Sequence, residues 1–169
     1  LAQAPRVEDL PELTQPVNDF ARVIDSDSAQ KLDALSRKLQ QATGDALVVA
    51  TVKTFQPWPD LKSMAVAMFQ NHGRGIGTRG KDNGVLILLA VNDRQVWNEV
   101  GYGLEGFITA GFAGETSRNV MAPLFRNGAY GQGLFAGAAR IAQRIAEGRG
   151  VTRQGVPAPW HPYFPGDEW

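Results

Sequence analysis

Val85-Leu-Ile-Leu-Leu-Ala90 is an unbroken apolar run, Asn92-Asp93 is a tight-turn dipeptide, and Gln95-Val-Trp-Asn-Glu-Val100 follows at once. A continuous apolar run of this length suits a strand covered on both faces. The turn dipeptide makes the next segment its hairpin partner, returning antiparallel. Upstream, Ala46-Leu-Val-Val-Ala-Thr-Val52 has the same buried, β-branched character. Between the two runs, Leu61, Met64, Ala65, Met68 and Phe69 recur at helical spacing. Strands separated by helices form crossover units, so the strands at Ala46 and Val85 are expected to be parallel, with helices on both faces of the sheet.

The rest of the chain extends this pattern. Val17 to Ile24 reads as a short extended segment. Asp25-Ser-Asp-Ser28 offers short oxygen side chains to the free N–H groups of a first helical turn. Leu32, Leu35 and Leu39 follow on one face, and Thr43-Gly44 supplies a left-handed stop. Asp60 after Pro57-Trp-Pro59 is the expected cap of the second helix, which ends near Gly73. Gly73 to Gly84 contains five glycines and reads as a loop. Two further helices are expected around Phe112 to Arg126 and Gly131 to Glu147. The organisation is an extended N-terminal arm over 1–16 with three prolines, an α/β domain over 17–148, and a Pro- and aromatic-rich tail over 149–169.

Of the 169 residues, Lys and Arg number 17 and Asp and Glu number 17, so the net charge is zero. Nucleic-acid binders show a basic excess because phosphate neutralisation dominates their affinity. None is visible, and no nucleic-acid partner is expected. The absence of cysteine removes disulfides, zinc–thiolate sites and thiol nucleophiles together. No apolar run reaches the ~18 residues of a membrane span. Leu1-Ala-Gln-Ala-Pro5 opens without Met, which fits a processed or a truncated start.

Connection rules then place the loops. If the strand at Ala46 runs upward, so does the strand at Val85, and Gln95 to Val100 descends. Asp82-Asn83 and Tyr102 to Glu105 therefore share the lower end of the sheet. If Val17 to Ile24 is an upward strand, Asp19 joins them there. Carboxylate and amide oxygens on glycine-rich loops are the donors preferred by hard cations. The plain alternative is that Asp82-Asn83-Gly84 is turn chemistry and the acids are solvated.

Gly75-Ile-Gly77, Gly80-Lys-Asp-Asn-Gly-Val-Leu-Ile-Leu-Leu89, Asp93-Arg94 and Glu99-Val-Gly-Tyr-Gly-Leu-Glu-Gly106 together resemble the TPM domain family, with Pro123, Phe125-Arg126 and Tyr130-Gly131-Gln-Gly133 following in order. That family includes a thylakoid-lumen protein of photosystem II repair and exported bacterial relatives. The resemblance spans about Val17 to Ala146. It implies a three-layer α/β/α sandwich with a short mixed, mostly parallel sheet. It also implies an extracytoplasmic setting, periplasmic or secreted and membrane-associated in some full-length members, and a divalent cation, Ca²⁺ or Mg²⁺, at acidic loops. By motif match the metal positions carry over to Asp19, Asp82, Asn83 and Glu105, beside a pocket expected at Arg79, Lys81, Tyr102 and Gly103. The chain departs from the family where Phe107-Ile-Thr109-Ala110 replaces a common Asp, and where His72 stands for a frequent Trp.

Two function classes stand open. One is a metal-dependent acid phosphatase, as some family members are described, with metal-bound water as nucleophile and Arg79 or Lys81 on the phosphate. No catalytic residue can be assigned, since the chain has no P-loop, nucleophile elbow or paired histidines. The other is a noncatalytic binding or assembly module for a membrane-protein partner. His72 has a plain placement after a helix end, and Gly101, Gly103 and Gly106 have a plain use in shaping their turn. Asp93 reads as a turn residue pairing with Arg94 or water.

Overall fold

The structure is a computed structural model and describes residues 4–151. Among these residues four strands form one sheet in the order β1-β2-β3-β4: β1 (Val17–Asp19), β2 (Ala46–Val52), β3 (Gly84–Ala90) and β4 (Gln95–Val100). β1, β2 and β3 are parallel and β4 is antiparallel to β3. The expected parallel pairing of the Ala46 and Val85 runs and the hairpin are both present.

Helix α1 (Ser26–Thr43) starts where Asp25 accepts the Ser28 N–H and stops at Gly44, whose φ is 81°. Helix α2 (Leu61–Phe69) starts at Asp60, whose carboxylate accepts the Ser63 N–H. It ends four residues before Gly73, and a 3₁₀ turn over Asn71–Gly73 completes the segment. The third expected helix is divided. Helix α3 (Ala110–Glu115) passes into a π-helical turn (Thr116–Met121) and then α4 (Ala122–Arg126). Helix α5 (Tyr130–Gly148) closes the domain.

The pleat sorts β3 onto two cores. Val85, Ile87 and Leu89 pack with Leu32, Leu35 and Leu39 of α1 and with Leu134, Ile141 and Ile145 of α5. Leu86, Leu88 and Ala90 pack with Leu61, Met64 and Met68 of α2. This is the three-layer α/β/α arrangement. Both faces of β4 are covered in part, Val96 and Val100 joining the first core and Trp97 the second. Helices α1 and α2 lie on opposite faces although both crossovers step the same way across the sheet. The two crossovers therefore have opposite hands, and one departs from the right-handed rule.

Two expectations are corrected. The N-terminal arm, expected as extended, contains a 3₁₀ turn at Val7–Asp9 and is docked, with Leu10 and Leu13 buried in the second core. Asn71 holds it, its Oδ1 accepting the Leu13 N–H at 2.8 Å and its Nδ2 donating to the Leu13 carbonyl at 2.9 Å. His72 adds a hydrogen bond from Nε2 to the Leu10 carbonyl. The extended segment at Val17 is a strand of only three residues, because the chain turns back at Asp19. The tail expected over 149–169 lies outside the described residues from 152 onward.

Candidate functional site

The foot of the sheet, where β2 and β3 begin, gathers Asp82, Asn83 and the loop after β4. Asp82 is exposed with φ 47°, a left-handed geometry that short polar residues tolerate. Its carbonyl accepts the Gly103 N–H at 2.9 Å, which laces the two loops together. A Cβ on Gly101 would collide with the Asp82 carbonyl, and one on Gly103 with the Lys81 carbonyl. The glycines of the Val-Gly-Tyr-Gly segment are thus required by close backbone approach.

Asn83 is buried and structurally committed. Its Oδ1 accepts the Thr78 N–H at 2.7 Å, and its Nδ2 donates to the Gly44 carbonyl at 2.8 Å and to Asp45 Oδ1 at 3.2 Å. Sequence reading missed Asp45, which is fully buried. Arg149, just past α5, meets it with two hydrogen bonds, Nε to Oδ2 at 2.9 Å and Nη2 to Oδ1 at 2.8 Å. The hydrogen bond to Asp45 raises the arginine's pKa further above its ordinary value. Nothing local in the sequence marks a partner 104 residues away.

Asp19 does not join this end. It pairs with Thr51 near the end of β2, whereas Gly84, next to Asn83, pairs with Ala46 at its start. Five residues of strand separate the two levels, about 16 Å at ~3.3 Å per residue. The cause is the short β1. Asp19 turns the chain by accepting the Val23 and Ile24 N–H groups, each at 3.0 Å, and the Thr51 hydroxyl at 2.7 Å. Asp93 also lies at this upper end. It accepts from the Phe55 N–H at 2.8 Å and the Thr54 hydroxyl at 3.2 Å, rather than pairing with Arg94.

The four carried-over positions therefore do not converge. Asp82 and Glu105 remain together at the foot as exposed carboxylates. Two carboxylates fall well short of the six to eight oxygens of a Ca²⁺ shell. Among the described residues no three Asp, Glu or His side chains are grouped to hold a metal ion. Arg79, Lys81, Tyr102 and Gly103 are all exposed, and none lines either of two large hollows formed by the described residues.

Those hollows lie along β4 instead. The lower, about 670 Å³, is lined by Val96 through Val100 on one side and by Ile108, Ala113, Ser117 and Arg118 on the other. The upper, about 560 Å³, shares Val96 and is lined by Arg94, Gln95, Arg126 and Tyr130. Since five consecutive β4 residues line the lower hollow, the strand meets it along its edge. The hydrogen-bonded pair Gly84–Gly101 fixes the alternation of the antiparallel ladder. By that alternation the backbone groups of Val96, Asn98 and Val100 point away from β3. They have no backbone partner among the described residues. Asn98 donates to the Ala113 carbonyl and Ser117 Oγ, while its buried Oδ1 has no donor among the described residues.

The TPM domain family matches residues 17–144, and the chain belongs to that family. The N-terminal domain of a P. gingivalis protein, solved by NMR, superposes with a TM-score of 0.74 at 25% identity, covering 88% of this chain and 96% of that one. BA42 from the psychrophilic bacterium Bizionia argentinensis superposes at 0.62 with 21% identity, covering 80% and 90%. The N-terminal domain of cg2496 from Corynebacterium glutamicum does so at 0.59 with 15% identity, covering 88% and 86%. The last two show the fold alone. No curated protein gives a significant match.

Proposed function

We propose that this TPM domain is an extracytoplasmic binding module that takes an extended segment of a partner protein along the free edge of β4. The supporting observation is the row of outward-facing backbone groups at Val96, Asn98 and Val100, which have no partner among the described residues and open on a hollow of about 670 Å³. An added strand would satisfy them as a sheet edge is satisfied in strand addition. Asn98 Oδ1 is a further acceptor at the same place. The extracytoplasmic setting rests on the family resemblance, and an assembly partner in a membrane fits it. The test is amide hydrogen exchange with extended peptides selected against the domain. Binding should slow exchange at Val96, Asn98 and Val100 and leave the already paired Trp97 and Glu99 unchanged. Protection confined to other parts of the surface would sink the proposal.

A second reading keeps the divalent cation, Ca²⁺ or Mg²⁺, at Asp82 and Glu105. It is favoured by the Gly103 N–H bond to the Asp82 carbonyl, which ties the two acidic loops to one another. Calorimetric titration should then show binding that Asp82→Ala removes and Asp19→Ala leaves intact. Metal-dependent turnover of an aryl phosphate, lost with Asp82→Ala, would favour the phosphatase class over the binding module.

A further inference from the structure

The upper hollow carries charge of one sign. Arg94 and Arg126 line it, with Gln95 and Tyr130, and among the described residues no acidic side chain does. Neither guanidinium has an ion pair or hydrogen bond among the described residues, although Arg37, Arg74, Arg140 and Arg149 are each paired with a carboxylate elsewhere. Arg94 stands at φ 55° in the turn before β4, on the approach to the free edge. The wall behind is apolar: Leu89, Val91 and Val96 from the sheet, and the Phe125–Tyr130 ring pair with centroids 6.0 Å apart. Helix α5 begins at Tyr130, and its N-cap, Ala129, has no side-chain acceptor to offer the first turn. The Asp25 carboxylate lies against that first turn at Gly131 and offsets the helix end's positive potential, so the charge of the hollow is that of the two arginines. The lower hollow has the opposite bias, with Glu99 and Glu105 against Arg118 among the described residues.

We propose that Arg94 and Arg126 bind the terminal carboxylate of the partner segment, so that the added strand is a protein C-terminus running antiparallel to β4. This rests on the edge-strand reading above and gives it a polarity. The carboxylate sits at the start of β4, where the arginines are, and the chain extends back toward Val100. Planar guanidinium groups match a carboxylate through paired N–H donors. An extended peptide spans Gln95 to Val100 in about five to six residues. A Lys or Arg placed that far before the C-terminus therefore reaches the Glu99 and Glu105 end. A second copy of this chain pairing edge to edge would bring its own α3 wall against this one.

The experiment is selection of random octapeptides displayed with a free C-terminus on the whole chain, followed by synthesis of an enriched peptide as free acid and as C-terminal amide. The free acid should bind about tenfold more tightly than the amide, as expected for loss of a charge-assisted bond. Arg94→Gln and Arg126→Gln should each bring the free acid down to the amide's affinity without altering thermal unfolding. Enriched peptides should carry a basic residue near their N-terminal end. If acid and amide bind alike while Val96, Asn98 and Val100 are protected from exchange, the carboxylate proposal is overturned and the edge-strand reading stands. If no peptide is enriched, or the edge amides exchange unchanged, both fall. A concentration-dependent dimer that protects the same amides would assign the edge to a second copy.

Discussion

At the residue scale, the domain depends on polar side chains that act at long range. Asp45 has a side chain 1% exposed and is met by Arg149, whose side chain is 36% exposed. Removing one partner of a buried pair leaves the other charge desolvated, at a cost of about 3 kcal/mol or more. Arg149→Ala should lower unfolding stability by that order in urea titration, since among the described residues the Asn83 amide alone would then hydrogen-bond the Asp45 side chain. Arg37→Ala breaks a solvent-exposed i,i+4 pair with Asp33 and should change the same titration little. Equal effects of the two would refute the role given to Asp45. Asp19 shows why such residues are hard to read from sequence. Its chemistry suggested a ligand, but a register of three residue pairs placed it at the upper end, where it cages a turn. Asn71 and Asn83 were equally opaque, because their partners lie 58 and 39 residues away. Asp25 and Gly44 were legible because caps act within one turn.

At the scale of elements, the loop after β4 is shaped by contact with the loop before β3. A Cβ at Gly101 meets backbone, which cannot rotate aside as a side-chain tip can. Gly101→Ala should cost about 1–3 kcal/mol through forced displacement. Gly106→Ala, from the same glycine-rich motif, meets nothing within 4 Å and should be near neutral. Thermal unfolding of the two variants separates a packing requirement from a general need for flexible glycine. The π-helical turn between α3 and α4 has no counterpart in the sequence reading, since 112–126 looked like one regular helix. Periodicity reports which face is apolar, and a single wide turn changes it too little to show. The turn matters because it carries Ser117 and Arg118 to the lower hollow.

At the scale of the whole molecule, the parallel direction of the Ala46 and Val85 strands and the hairpin that follows were legible in the two apolar runs and the helix between them. The hand of the crossovers was not. Amphipathic faces show that a helix packs on the sheet but not on which side, and α1 and α2 chose opposite sides. Among the described residues the choice leaves α2 the one long helix on its layer, with the arm beside it. Leu10 and Leu13 fill the space that a second helix would otherwise take. Leu13→Ala should therefore destabilise by about 2–4 kcal/mol, as for a core leucine, despite its place in a Pro-rich leader. A loss under ~0.5 kcal/mol in chemical unfolding, typical of surface sites, would show the arm to be dispensable.

The docked arm has a practical bearing on where this domain can be cut. The family match starts at residue 17, and an expression clone begun there would discard the leucines that cover Leu61, Met64 and Met68. Such a protein would carry a greasy trough on one side and an unsatisfied Asn71 amide at its edge. Poor solubility of that fragment would reflect the choice of first codon, and clones begun before Arg6 should escape it.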